Sequence, residues 1–463
     1  MSDKYAKDRN SVLWHHLDSR KLFRVAMTVK GFTTRTAIAV VIANMIGTGV
    51  FTSLGFQLLE IDSGFALLSL WVIGGMIALS GALSYAELGA AIPRSGGEYR
   101  FLAEVYHPAA GFVSGWVSAS IGFAAPVALA AMTFAAYLNA SLPYFGEPLP
   151  EKPIAVTLIV VLAILHTLSH RSSGITQGVF TSLKVLLILV FCIAAISLTE
   201  QLQPISFAYT RADNAVMLSG SFAVALIYVN YAYTGWNAAT YFSGELSKPT
   251  KTLPRVLLIG TAVVTLTYVA LNAVFLKVAP ADAMRGELEI GFIVARYAFG
   301  ESWAQYTGLI LAALLISTVS AMTLAGPRVL SAIGKDYRLF RALGHTGASG
   351  LPWIAITIQS ALAIVFVMTA SFEAILIFSG FILGLNSLAT VLALYVDRWR
   401  FPDRDRPFKV PAYPITPAVY VLLMSFTLLY TGLQRPQEAG LALLIIIMGL
   451  LVYAASAAKE RRE

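Results

Sequence analysis

Apolar runs about as long as a bilayer-crossing helix alternate with short polar connections along nearly all of the 463 residues. They lie near residues 36–58, 65–90, 110–138, 153–168, 178–198, 219–243, 256–277, 303–333, 352–369, 373–396, 413–433 and 439–458. The pattern predicts an all-α polytopic membrane protein with about 12 transmembrane helices. Residues 279–300, between the seventh and eighth runs, are more polar, yet Ile290, Phe292, Ile293, Ala295 and Tyr297 recur near helical spacing. This segment is predicted to be a short interfacial helix.

Two runs carry helix-breaking residues at their centres. The first holds Asn44-Met45-Ile46-Gly47-Thr48-Gly49-Val50-Phe51, where two glycines flank a threonine. Each glycine weakens a helix by roughly 1 kcal/mol relative to alanine. Alone, the motif reads equally as a small-residue packing face or as a local unwinding that bares backbone groups around a buried cavity. The sixth run supplies a second break, Asn230-Tyr231-Ala232-Tyr233-Thr234-Gly235-Trp236-Asn237. Polar groups at that depth are expensive and mark sites or polar helix contacts. Spans one and six open two successive five-span units, and paired interruptions at corresponding positions point to a transporter site. The half-helix after the first break presents N–H groups and a positive dipole end to an anion. Carbonyls freed where the upstream halves end can accept from an ammonium. A zwitterionic α-amino acid suits such a pair.

Composition agrees: 57% hydrophobic residues, 13% charged residues and a mean hydropathy of +0.72 exclude a water-soluble protein of this length. The first 35 residues are polar and basic, with no short apolar run and cleavage site ahead of the first span, so no removable leader is expected. The net charge of +8 gains meaning from its placement. With twelve spans, 26 of the 33 basic residues fall on the side of the two termini and six on the other, leaving Lys184 inside a span. The positive-inside rule then predicts a multi-pass cell (plasma or inner) membrane protein with both termini cytoplasmic, and the basic charge needs no nucleic-acid partner.

Four motifs resemble the amino acid, polyamine and organocation (APC) superfamily, and within it the bacterial L-type amino acid transporters. They are Gly47-Thr48-Gly49-Val50-Phe51; Ser84-Tyr85-Ala86-Glu87-Leu88 through Ile92-Pro93-Arg94-Ser95-Gly96-Gly97-Glu98-Tyr99; Tyr233-Thr234-Gly235-Trp236-Asn237 running into Gly244-Glu245-Leu246 and Pro249 to Pro254-Arg255; and Gly326-Pro327-Arg328. The resemblance implies a LeuT-like fold of 5+5 inverted repeats with discontinuous helices one and six, plus two C-terminal helices. The corresponding divisions are a cytoplasmic segment 1–35, repeats 36–198 and 219–396, two added helices 413–458 and a tail 459–463. It implies alternating access, with the substrate carboxylate on the N–H groups of Thr48 and Gly49 and with Gly47 permitting the bend. The ammonium would meet carbonyls of Met45, Tyr231 and Thr234 around Ala232 and Gly235. Tyr231 or Tyr233 would supply an aromatic lid, and Gly122, Ala125, Asn237 and Ser320 are candidates for the side-chain pocket. Several relatives carry asparagine where Ser320 stands.

Lys184 has two readings. A lysine in this place can snorkel towards the cytoplasm. In sodium-independent relatives a matching lysine occupies the position of a sodium ion, linking span five to the unwound part of span one and to span eight. A buried lysine is also a possible proton carrier. Glu87 and Glu245 are expected to pair with Arg94, Arg100, Arg255 or Arg328 at a cytoplasmic gate, and the alternating run 398–409 to be a solvated loop. The single cysteine, Cys192, lies in an apolar run, and the connection after span three has none, so no disulfide-linked heavy subunit is expected. His166 and His170 stand beside Arg171 without further ligands, so no metal or other cofactor is assigned. No nucleophile–base set or phosphate loop suggests an enzyme. The implied function is secondary transport of amino acids, most simply neutral L-amino acids, by sodium-independent exchange or proton-coupled uptake. A sensor or channel, or a cationic amino acid, polyamine or ethanolamine-like substrate, are the alternatives.

Overall fold

The computed structural model describes residues 33–93, 96–142, 149–168, 174–246, 248–336, 338–345 and 352–460. Helix occupies each of the twelve predicted positions. Among the described residues, eight helical stretches are long and apolar enough to cross a membrane, and shorter apolar helices cover spans five, six and nine. Span one is split into Thr34–Met45 and Gly49–Gln57. Span two is Gly64–Ala91, begun by the Ser63 hydroxyl accepting from the Ala66 N–H. Such N-caps satisfy donors that have no intrahelical partner, and Ser219 and Ser371 do the same for spans six and ten.

Span three runs from Pro108–Val117 through a π-helical turn, Ser118–Gly122, into the alanine-rich helix Ala124–Ser141. Spans four and five are Glu151–Leu168 and Gly174–Leu198. Span six is the helix Gly220–Ala232, which ends at the second break, followed by a 3₁₀ segment, Ala238–Glu245. Span seven is Pro249–Val278, and spans eight to twelve are Glu301–Asp336, Trp353–Thr369, Phe372–Arg400, Ile415–Gln434 and Pro436–Glu460.

The most extensive helix contacts join span three to span eight and span two to span seven, and the first half of span six also packs on the second half of span one. Each of spans one to three thus lies against the span five positions later, the pairing a pseudo-two-fold relation produces. Small residues on span three let span eight approach closely, as helices in lipid require. Span eleven covers spans two and six, and span twelve covers spans three and ten.

The helix Ile290–Phe299 forms, with Ile290 to Ala295 and Ala298 buried, and packs on span eight and on span five. One expectation changes in part. The run 398–409 leaves Asp403, Asp405 and Lys409 exposed, but two of its arginines turn inward. Its Arg406 side chain is only 6% exposed and its Arg404 side chain 17%, both paired to the buried Asp397. Carboxylates buried on spans two and ten draw these guanidiniums inward, because a buried charge must be paired.

Candidate functional site

The two breaks meet. A Cβ on Gly49 would lie 2.6 Å from the Ala232 Cα, and one on Gly235, at φ +98°, would lie 2.7 Å from the Asn44 carbonyl oxygen. Only glycine permits both the positive φ and such approaches. Each break therefore supplies the glycine that seats the other.

The first break closes on a Gly47 N–H donating to the Met45 carbonyl at 2.9 Å, and the next helix starts with Phe51 N–H to Thr48 carbonyl. Among the described residues the N–H groups of Thr48 and Gly49 make no such backbone bond. They form the N-terminal end of a nine-residue helix, with its positive dipole end. Thr48 itself is buried.

The carbonyls expected for an ammonium are differently placed. Met45 carbonyl accepts from Gly47 N–H and from the Tyr268 hydroxyl at 2.5 Å. Tyr231 carbonyl accepts from both the N–H and the hydroxyl of Thr234, at 2.9 and 2.7 Å. Buried carbonyls are satisfied from nearby donors, so in this conformation two of the three are engaged by the protein. Tyr268, on span seven, also donates to the Ala232 carbonyl at 3.1 Å and so ties both breaks together. Nothing in the sequence marks it, since one tyrosine in an apolar span carries no distinguishing signal.

Two small cavities flank the breaks. One is lined by Ile46, Gly47, Phe51, Tyr137, Lys184 and Thr318, among others. The buried Lys184 ammonium donates to Thr318 Oγ1 at 3.1 Å. Its side chain turns to span eight within the protein. Thr318, whose Cγ2 would lie 4.0 Å from a Cβ on Gly47, has no mark in the sequence; Ser320 is the residue the family resemblance points to, but its hydroxyl is 2.8 Å from His166 Nε2 and faces span four. His166 is thereby occupied, while His170 and Arg171 lie outside the described residues.

The second cavity borders span six and is lined by Asn230, Tyr231, Thr234, Trp236, Ser387 and Tyr420, with residues of spans two and eleven. Tyr231 thus borders this cavity. The Tyr233 hydroxyl donates to the Trp71 carbonyl at 2.9 Å, and its ring packs on Tyr268 at 5.1 Å. Neither ring covers the Gly47 cavity as a lid. Gly122 ends the π-helical turn facing Leu383, and Ala125 is fully buried; neither lines either cavity. Asn237 turns away from the breaks and donates to Glu98 Oε1 at 3.0 Å.

At the end of the bundle where the loop 398–409 folds, Glu87 takes a partner other than those expected. Arg398 grips it through Nε and Nη2, each at 2.7 Å, and Val410 N–H donates to it at 2.6 Å. Arg255 is exposed. Arg94 and the Glu245 side chain lie outside what is described. The bidentate Arg398 geometry is the stronger kind of charge-assisted contact, and it joins span two to span ten.

Two helices broken at mid-length and seated on each other inside an apolar bundle define a discontinuous-helix membrane transporter. The amino acid permease family pattern matches residues 32–451, and the chain belongs to that family. This makes it an APC-superfamily amino acid transporter and not an enzyme. It is 29% identical to the serine/threonine exchanger SteT of Bacillus subtilis (strain 168) over 422 residues, 90% of this chain and 94% of that one. It is 26% identical to b(0,+)-type amino acid transporter 1 of Mus musculus, over 90% of this chain and 86% of that one. For Asc-type amino acid transporter 1 of Mus musculus the figures are 28%, 90% and 79%.

Proposed function

We propose that this protein exchanges neutral L-amino acids across the cell membrane by alternating access, without sodium, with both termini in the cytoplasm and with residues 36–198 and 219–396 as its two repeats. The observation that carries this reading is the mutual seating of the breaks through Gly49 and Gly235, which sets the N–H groups of Thr48 and Gly49 beside the interrupted sixth span. A carboxylate suits that helix end. Met45, Tyr231 and Thr234 carbonyls receive the ammonium once Tyr268 and the Thr234 hydroxyl yield, so occupancy and the geometry of the breaks are coupled.

Lys184 supports the sodium-free part. Its ammonium is fixed on Thr318 beside Gly47, where a fixed positive charge replaces a mobile cation. The similar proteins include an exchanger named for serine and threonine and transporters named for amino acids. The chain's one cysteine, Cys192, lies within span five, which leaves no thiol in the loop after span three for a disulfide-linked subunit.

Thr48→Ile tests the site. The branched apolar side chain removes the hydroxyl and crowds the helix end, so amino acid binding, read by ligand-induced shift in melting temperature, is expected to vanish while the melting transition itself persists. Undiminished affinity in that variant would remove the first-span site from the proposal.

A further inference from the structure

Glu98 opens the short helix Glu98–Val105 between spans two and three, outside the spans themselves, yet it is 3% exposed. Its carboxylate draws donors from three spans. Tyr85 Oη of span two lies at 2.5 Å, Asn237 Nδ2 of span six at 3.0 Å and Ser387 Oγ of span ten at 3.2 Å, all on Oε1. Asn386 Nδ2 of span ten donates to Oε2. Among the described residues, the remaining titratable neighbours are Tyr241 of the 3₁₀ segment and Tyr420 of span eleven, with Thr390 of span ten beside Tyr85.

No lysine or arginine forms an ion pair with it among the described residues. A buried carboxylate is normally paired with a cation; among the described residues, this one is held by neutral donors alone. Burial outweighs those donors and keeps its carboxyl above the ordinary carboxylate range. Ser387 and Tyr420 also line the cavity that contains Asn230 and Thr234, so Ser387 borders both that cavity and the Glu98 carboxylate. The basic loop places this end of the bundle on the cytoplasmic side of the proposed orientation.

We propose that Glu98 is a proton-binding latch: as a carboxylate it clasps the lower half of span six to spans two and ten, and on taking up a proton from the cytoplasm it releases that half. An ionised carboxylate accepts from all four donors with charge assistance. The neutral acid has fewer acceptor positions and loses that assistance, so the Asn237 contact weakens. The proposal rests on the transport reading only for its consequence, faster release of substrate inward at low cytoplasmic pH.

Accessibility separates the latch from transport. In a Cys192→Ser background, Ala239→Cys places a reporter thiol in the buried lower half of span six. Labelling by a membrane-impermeant thiol reagent from the cytoplasmic face of vesicles is compared with and without Glu98→Gln from pH 5 to 8, a ratio that cancels the thiol's own ionisation. The glutamine mimics the protonated acid. We expect it to label about tenfold faster at high pH, the size of one charge-assisted hydrogen bond, with the ratio falling towards one at low pH. A ratio independent of pH overturns the latch.

Glu98→Asp, which keeps the carboxyl, is expected to retain a pH-dependent labelling rate relative to Glu98→Gln, with a shifted midpoint; a flat ratio there also overturns it. In proteoliposomes the exchange rate of the parent chain should rise as internal pH falls, and that of Glu98→Gln should not. Loss of saturable exchange in every version, with pH-dependent labelling intact, would leave the latch standing and the transport reading refuted.

Discussion

Gly49 shows how much one missing methyl group decides. Its Cα faces the Ala232 backbone, so Gly49→Ala must push the two spans apart at this contact. Inserting a methyl group into such a contact costs about 1–3 kcal/mol. A lower melting temperature in micelles together with loss of substrate binding is the expected pair of results, and a variant that binds normally would show that the breaks need not touch. Glu289, outside the spans at the start of the helix Ile290–Phe299, provides a pH test. Burial foremost, then Glu287 and Glu151 nearby, push its carboxyl up to about 7, against an ordinary value of 4.5. The folded state thus holds the proton where the unfolded chain has lost it. Its contribution is fully present below about pH 4.5 and is lost as pH rises through about 7. Melting temperature should fall across that window, and Glu289→Gln should remove this component of the fall.

The element that matters most is the pair of interrupted helices, and Tyr268 is the bond between them. Tyr268→Phe keeps the ring packing on Trp71 and Tyr233 but leaves the Met45 carbonyl with one donor fewer. Removing one partner of a buried hydrogen bond costs about 1–3 kcal/mol. If Tyr268 yields to the substrate ammonium, the phenylalanine variant should be less stable without ligand yet gain more from it, measured as a larger ligand-induced rise in melting temperature. An equal rise in both proteins would dissociate Tyr268 from binding. At this scale the breaks were legible, because glycine, threonine and asparagine clustered at the centre of an apolar run weaken a helix exactly where lipid most favours one. The destinations of single side chains were not. Ser320 and Thr318 lie two positions apart on one helix, but only contact with span four decides that Ser320 meets His166 and leaves Thr318 to Lys184. Asn237 and Glu98 are separated by 139 positions, and nothing local announces their meeting.

For the molecule as a whole, the all-helical polytopic bundle and the places of its twelve helices followed from periodicity, since lipid leaves the backbone few options. The loop 398–409 did not follow the same rule. Alternating arginine and aspartate resembles a solvated surface, and only the presence of Glu87 and Asp397 beneath it turns those arginines inward. The resulting contacts join spans two and ten at the end of the bundle where Glu98 lies.

The central claim is that the seated breaks form one amino acid site serving both faces of the membrane. Its most direct test is counterflow in proteoliposomes, sodium-free on both sides, preloaded with one unlabelled neutral amino acid at a time and assayed for uptake of a labelled one. We predict saturable uptake that requires a neutral amino acid inside and is unchanged by an imposed sodium gradient at fixed potential and pH. Binding without flux, unsaturable flux, or uptake that rises steeply with the sodium gradient would contradict it.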